Sequence, residues 1–600
     1  MLYSWEKINL ISQKDTKITN LNTFPEITFG IHSNHKNNSF RISPGISEFG
    51  SKISKVGVQH LKPMIDFATN AIPANKHKST PVYLMATAGV RLLDPQTRDA
   101  LLKESCSYFK KNTNFFIGDC DHHFKTISGE EEGAFGWLSV NYLKSRFLPF
   151  LQSFTNNDNP NKDTSNVSSP GKYQKSHNTI GFLDMGGAST QIAFQLNNDI
   201  PVNNSSEITT ISLRKMDGSD VSLNLFVTTF LGFGTNQARS RHESHLTKTT
   251  LESENPSSVS IIEDPCLAPG QLFPTSHNST LLKGTGDFDL CINKTRLLLS
   301  EIDSPCTNPP CLIKPNNLHG TDISNMDFIG VSEYWFVSDD IFGLGGAWDM
   351  DKFVERAREF CKTEFNTSLK DHSHRPNTNP DRIRMQCFKA SWLFSILTDG
   401  FSLFPEHSSL SQQNLDKNPK QSTKDSKKNS SFESAKSIES KEASWTLGAM
   451  LLNLMETIPP SDPVDYVPPG IYKNFNSLEL NDSLKHKNLD DQPHVLGEYE
   501  VSDYLNLIKL ILIVMCTLSI LSLIFLVYSG KHLLLVFYLK KVGGFIFRSK
   551  IVSFFNPLSK TNRSQYSFSL GRHSLGSSST FPPAPRFSSS PYDVEIGDWD

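Results

Sequence analysis

The segment Gly181-Phe-Leu-Asp-Met-Gly-Gly-Ala-Ser-Thr-Gln-Ile-Ala-Phe194 carries the residues best suited to chemistry. Gly181-Phe-Leu is short and apolar and reads as a buried strand, and Thr190-Gln-Ile-Ala-Phe194 reads as a second strand returning from it. Between them Gly186 and Gly187 permit backbone conformations that other residues resist, which makes the tip a tight turn with exposed N–H groups. Concave runs of such groups bind anions, and a carboxylate at a strand end, here Asp184, can hold a hydrated divalent cation beside bound phosphates. An ordinary tight hairpin is the plainer reading, and this segment alone leaves both open.

Two further segments supply candidates. In Ser128-Gly-Glu-Glu-Glu-Gly133, Ser128 reads as a helix N-cap and Glu131, three positions on, completes a capping box. Glu130 complements the helix dipole, whereas Glu132 points elsewhere on the helix, where a carboxylate facing a cleft can serve as a base for water. The competing reading has all three glutamates decorating a helix N-terminus. Pro81-Val-Tyr-Leu-Met-Ala-Thr-Ala-Gly-Val-Arg-Leu-Leu93 reads as a strand turning into a helix at small residues, with the Thr87 hydroxyl placed to hydrogen-bond and Arg91 a surface or ion-pair residue. Its competing reading is a packed strand–helix corner.

The elements that position these residues alternate. Strand-like runs at 81–86 and 223–229 are interleaved with helical ones at 98–110, 350–362 and 387–397, which argues for an α/β fold. With 600 residues the chain exceeds one hydrophobic core. Lys+Arg 59 against Asp+Glu 62, without a basic stripe, argues against a nucleic-acid partner. Stretches at about 155–179, 239–262 and 406–441 are poor in apolar residues and read as surface loops, the last of them disordered, as does the Ser-rich tail from about 559.

Eight of the nine cysteines precede residues 510–528, an even number that fits pairing, and Cys306 with Cys311 can close a small loop. No Cys-x-x-Cys pair points to zinc. Sequons at Asn166, Asn204, Asn278, Asn293 and Asn366 agree with a luminal or extracellular compartment. Residues 510–528 carry no formal charge and are followed by Lys531, Lys540, Lys541, Arg548 and Lys550, which reads as a single membrane anchor with a cytosolic tail. Residues 1–7 show no apolar signal core, so either the anchor directs insertion or the N-terminus is incomplete.

Taken together, Ala86-Thr-Ala-Gly-Val-Arg-Leu-Leu93, Ser128-Gly-Glu-Glu-Glu-Gly-Ala-Phe-Gly-Trp137, Leu183-Asp-Met-Gly-Gly-Ala-Ser-Thr-Gln191 and Ser444-Trp-Thr-Leu-Gly448 stand in an order that resembles the apyrase, or nucleoside triphosphate diphosphohydrolase, family. Phe230-Leu-Gly-Phe-Gly-Thr-Asn-Gln-Ala-Arg239 and Ser332-Glu-Tyr-Trp-Phe-Val-Ser-Asp-Asp340 extend the resemblance, which covers roughly residues 3–450. It implies an α/β, two-lobed, actin-like (ribonuclease-H-like) fold, here with one C-terminal transmembrane helix. The expected organisation is a first lobe at 1–180, a second at 181–405, a disordered insertion at 406–441, a helix returning to the first lobe at 442–456, a juxtamembrane linker at 457–509, the span at 510–528 and a tail at 529–600.

The function implied is a membrane-anchored nucleotidase that removes the terminal phosphate of nucleoside di- and triphosphates with Ca²⁺ or Mg²⁺, in the Golgi or endomembrane lumen in support of glycosylation. By resemblance, Glu132 is the base for the attacking water, Asp184 and Gln191 hold the cation through its water shell, Gly186, Gly187, Ala188 and Ser189 cradle phosphate, and Thr87 lies near the nucleophilic water. Tyr334, Trp335 and Phe336 fall where the family has aromatic residues near the base, although packing suits at least two of them; Trp445 reads as packing. The same resemblance pairs Cys361 with Cys387 and Cys306 with Cys311, leaving Cys106–Cys120 and Cys266–Cys291. The family's first motif, an Asp-x-Gly-Ser loop ending in Arg, precedes the strand that here begins at Leu2-Tyr-Ser-Trp5, and the expectation is that this chain lacks it and its strand. The alternative function is therefore a truncated, non-catalytic nucleotide-binding membrane protein of the same family.

Overall fold

The computed structural model describes residues 1–5, 23–30, 39–147, 179–196, 208–251, 260–275, 280–299, 323, 326–372, 380–404, 431–462 and 466–473. All belong to one compact unit, Met1–Asn488. Cys306, Cys311 and the candidate span 510–528 lie outside the described residues, among which no helix is long and apolar enough to cross a membrane.

The elements that build the site are, in chain order, α1 (Gly129–Leu143), β1 (Gly181–Met185), β2 (Ser189–Gln195), β3 (Ile208–Arg214), β4 (Asp220–Leu231), α2 (Thr235–Leu251), α3 (Phe288–Leu299), β5 (Phe328–Ser332), β6 (Gly346–Ala347), α4 (Met350–Lys362), α5 (Pro380–Ser395), β7 (Phe432–Ser434), α6 (Trp445–Glu456) and β8 (Gly470–Lys473). The strands form one sheet in the order β6-β7-β5-β1-β2-β4-β3-β8. β5 runs parallel to both β1 and β7, and the other pairs are antiparallel.

Alternate residues of a strand point to opposite faces, and here both faces are buried. Phe182, Ala193, Leu225, Val227, Ile329 and Val331 face α1 and α6, whereas Leu183, Met185, Ile192, Phe194, Phe226 and Phe328 face a core completed by α3, α4 and α5. That is why β1 and β2 read as apolar runs rather than as alternating ones. α1 settles close on its face through glycines spaced four and three apart: a Cβ at Gly129, Gly133 or Gly136 would come within 2.2 Å of Thr229, 2.9 Å of Val227 or 2.0 Å of Phe182. α6 packs on α1 as closely, since a Cβ at Gly448 would lie 2.0 Å from the Phe135 carbonyl. Trp445 packs against the same cluster, as its sequence context suggests. The α1 helix of the expected first lobe thus rests on strands of the expected second.

A smaller core of Phe49, Val56, Leu61, Leu101, Cys106, Phe109 and Phe124 supports the strand Leu84–Ala86, which pairs in parallel with Phe124–Thr126. This pair carries the Thr87–Arg91 corner toward the start of α1, through the Ile127 N–H to Ala86 carbonyl bond of 2.9 Å. Disulfides join Cys106–Cys120, Cys266–Cys291 and Cys361–Cys387, the three expected pairs that fall among the described residues.

Three expectations need correction. The stretch 239–262, expected as a loop, contains most of α2 and begins the strand Ser260–Asp264. It lacks an apolar stripe because buried ion pairs hold it instead: Arg239 to Glu243 at 2.7 Å and to Asp264 at 2.8 Å, with His242 on Asp264 at 2.9 Å. The stretch 406–441, expected as a disordered insertion, contains β7, whose Phe432 and Ser434 are buried in the main sheet, and the short strand Ser437–Ile438 after it; residues 405–430 lie outside the described ones. Finally, the expected linker 457–509 contributes β8, which pairs with β3 and is held by Arg214, whose guanidinium donates to the Ile458 and Val467 carbonyls at 3.0 and 3.2 Å.

Candidate active site

The hairpin between β1 and β2 forms where the sequence predicts it, with Asp184 opposite Gln191. The Thr190 hydroxyl donates to the Asp184 carbonyl at 2.8 Å and the Gly186 N–H to the Ser189 carbonyl at 3.0 Å, which closes the turn. The reason for the glycines differs from expectation, because neither Gly186 nor Gly187 adopts a positive φ. Space is what matters at Gly187, where a Cβ would lie 2.7 Å from the Asn236 amide. The left-handed glycine is Gly232, at φ 87°, and a Cβ on the neighbouring Gly234 would collide with the Ala188 nitrogen at 2.3 Å.

This second glycine pair lets the first turn of α2 dock onto the loop. Thr235 N–H donates to the Gly186 carbonyl at 3.0 Å, and Asn236 and Gln237 N–H donate to the Gly187 carbonyl at 2.9 and 3.1 Å. A trans peptide directs its N–H opposite to its carbonyl, so the N–H groups of Gly187 and Ala188 point away from α2. Neither has a partner among the described residues. Two adjacent backbone donors on one side of a turn suit an anion.

The capping box of α1 is present in both directions: Glu131 N–H to Ser128 Oγ at 3.0 Å and Ser128 N–H to Glu131 Oε2 at 2.7 Å. Glu130 pairs with Lys473 of β8 at 3.2 Å, a partner that the sequence does not suggest. Glu132 turns inward and is 7% exposed. Its Oε2 accepts from Arg91 Nη2 at 3.0 Å and from Gln191 Nε2 at 3.2 Å. Arg91 Nη2 also reaches Ser189 Oγ at 3.3 Å, while Nη1 donates to the Ile127 carbonyl at 2.9 Å. Gln191 Nε2 contacts Ser189 Oγ at 2.7 Å and Thr229 Oγ1 at 3.2 Å. No other group among the described residues hydrogen-bonds Glu132 Oε1, so one carboxylate oxygen is anchored and the other is free.

Burial pushes the Glu132 carboxyl up to about 7, helped by the charge of Asp184 and opposed by Arg91. Burial likewise raises Asp184 to about 6, against the Ser332 hydroxyl and the Met185 N–H. Asp184 Oδ1 is buried without a hydrogen-bond partner. A buried carboxylate oxygen with an unused lone pair beside a free anion-binding turn fits a hydrated divalent cation. The other convergence of ligand-type groups among the described residues, His242, Asp264 and Cys266, does not, because Cys266 is in a disulfide and Asp264 is paired with Arg239.

Glu132, Ser189 and Gln191 are therefore brought into one hydrogen-bonded network, with Asp184 in register beside Gln191 and Gly186–Ala188 forming the adjoining turn. Thr87 precedes the short helix Ala88–Arg91 and its hydroxyl makes no hydrogen bond among the described residues. Of the aromatic trio, Tyr334 is fully buried against Phe432, whereas Phe336 is partly exposed beneath the Arg382 guanidinium, 4.8 Å away. Nothing in the sequence pairs Arg91 with Glu132 in particular, and no motif contains Thr229. Period two along β4 offers the missing signal, since Thr229 continues the inward row Leu223, Leu225, Val227.

The profile of the GDA1/CD39 (nucleoside phosphatase) family matches residues 12–466. A Golgi apyrase of Schizosaccharomyces pombe is 36% identical over 457 residues, which cover 75% of this chain and 72% of that protein. A Golgi apyrase of Saccharomyces cerevisiae is 34% identical over 69% of this chain and 62% of that protein, under two thirds of its length. The nucleoside-diphosphatase mig-23 of Caenorhabditis elegans is 31% identical over 69% of each chain. A solved nucleoside triphosphate hydrolase of Neospora caninum aligns with 68% of this chain and 78% of its own at 15% identity and a TM-score of 0.41, too low to bear on the fold.

Proposed function

The chain belongs to the GDA1/CD39 (nucleoside phosphatase) family, and on that premise we propose that it is a membrane-anchored, apyrase-type nucleotidase that cleaves the terminal phosphate of nucleoside di- and triphosphates. The two-lobed actin-like fold, the anchor at 510–528 and a Golgi lumen location are part of this reading, supported by hydropathy and by the similarity to Golgi apyrases. The observation that carries it is the network in which Glu132 Oε2 is gripped by Arg91 and Gln191 while both reach Ser189.

In this reading the N–H groups of Gly187 and Ala188, with the Ser189 hydroxyl, bind the oxygens of the terminal phosphate. Asp184 and Gln191 hold a divalent cation, Ca²⁺ or Mg²⁺, through its water shell; when bound, that ion neutralises phosphate charge. Arg91 and Gln191 fix Glu132 by Oε2 so that Oε1 accepts the proton of a water. The water oxygen forms a bond to the terminal phosphorus as the bridging P–O bond breaks, and the shortened nucleotide leaves with that electron pair. Thr87 offers its hydroxyl near the water.

Glu132→Gln keeps the shape and removes the base, and is expected to lower kcat by about 10²-fold or more, the range general-base catalysis supplies. Phosphate release from ADP and ATP by the full chain with Mg²⁺ or Ca²⁺ measures this. Equal activity of the variant would sink the assignment of Glu132.

A further inference from the structure

Asp184, Gln191 and Thr229 stand opposite one another on three neighbouring strands, in the registers Asp184 to Gln191 and Gln191 to Thr229. They form one row across the sheet face that α1 covers. Thr229 touches two parts of the site at once. Its Oγ1 lies 3.2 Å from Gln191 Nε2, and a Cβ on Gly129, the first residue of α1, would fall 2.2 Å from that oxygen and 2.4 Å from the Thr229 Cβ and Cγ2. The start of the helix that bears Glu132 therefore rests on the side chain that holds Gln191.

Gln191 Nε2 meets three oxygens, from Ser189 at 2.7 Å, Glu132 at 3.2 Å and Thr229 at 3.2 Å. The amide NH₂ has two hydrogens for these three oxygens, so the contacts share them, and the one from Thr229 ties the nitrogen to the neighbouring strand β4 as well as to β2 and α1. Gln191 Oε1 accepts no hydrogen bond among the described residues, so the amide is held by its nitrogen and its oxygen is directed away from the three. We propose that Thr229 is a positioning residue for the hydrolysis: its hydroxyl fixes the Gln191 amide, and through it the anchored oxygen of Glu132, while the side chain as a whole, Oγ1, Cβ and Cγ2 together, forms the seat of α1. This rests on the nucleotidase reading of the site.

The hydroxyl and the methyl are separable. Thr229→Val keeps the shape under Gly129 and removes the hydroxyl; Thr229→Ser keeps the hydroxyl and removes the methyl. With ADP and Mg²⁺ and the full-length protein, Thr229→Val is expected to lower kcat about tenfold with KM within about twofold, the scale of one lost orienting hydrogen bond. Thr229→Ser is expected to recover most of that rate. Full kcat in Thr229→Val, or an equal loss in Thr229→Ser, would make Thr229 a packing residue and overturn the proposal. If Thr229→Val does not fold, Thr229→Ala against Thr229→Ser gives the same comparison, with thermal unfolding as the control. Absence of phosphate release by the wild type overturns the nucleotidase reading and the proposal together, whereas an active wild type with an indifferent valine variant overturns the proposal alone.

Discussion

Glu132 and Asp184 are two buried acids whose folded pKa values, about 7 and about 6, lie above the usual carboxylate range. Between the unfolded and folded values the native state binds the extra protons, so their contribution to stability is full below about pH 4 and is lost as pH rises through 6 to 7. In chelator, the thermal midpoint is therefore expected to fall between pH 5 and pH 8. Asp184→Asn flattens that slope and stabilises the metal-free protein at pH 8 by on the order of 1 to 2 kcal/mol; divalent cation restores the wild type but not the variant. Calorimetry across pH measures both, and an unchanged slope in the variant would count against a buried, proton-holding Asp184. In the role proposed for it, Glu132 would work only ionised, so kcat/KM is expected to drop below about pH 7, and Arg91→Met to move that limb upward because Arg91 opposes the rise. Asp184, Glu132, Ser189 and Gln191 lie in the short motifs that carry the family resemblance, and that resemblance, rather than any local pattern, singles out Ser189 and Gln191. The contacts of Arg91 and Thr229 span 41 residues to Glu132 and 38 to Gln191; period two places Thr229 on the inward row of β4, but no local pattern names the partner of either residue.

At the scale of elements, the distance between Glu132 and the sheet is set by the absence of side chains. Gly136→Ala places a methyl 2.0 Å from the Phe182 ring and must lift α1 or displace Phe182. Overpacking of this kind costs about 1 to 3 kcal/mol, and lifting α1 also draws Glu132 from Gln191. Denaturant unfolding and kcat measured together test this; a variant with normal stability and rate would show that the helix has slack. The capping box of α1 and the β1–β2 hairpin were readable because caps and short apolar strands are local signals. α2 was not, because its few apolar residues make no stripe and its order comes from Arg239, His242 and Asp264 meeting across the fold. β7 is three residues long at the end of a polar stretch, too short for period two to show.

At the scale of the molecule, the three disulfides among the described residues brace the cores on which the site is built, and one of them, Cys106–Cys120, closes a separation of 14 residues in the core that holds Ala86 and Val90, at the Thr87–Arg91 corner. Replacing both cysteines by serine is expected to cost about 2 to 4 kcal/mol in denaturant unfolding. A rate loss in the still-folded variant is expected as well, because the corner carries Arg91. Loss of stability without loss of rate would place the corner's rigidity elsewhere, in the pairing of Leu84–Ala86 with Phe124–Thr126. The docking of α2 on the turn has a larger consequence. The positive end of that helix is taken up by the carbonyls of Gly186 and Gly187. Polarising those carbonyls makes the opposite N–H groups better donors. For the phosphate proposed to bind this turn, the field of a seventeen-residue helix would act by relay through two peptide planes rather than by direct contact with the helix end.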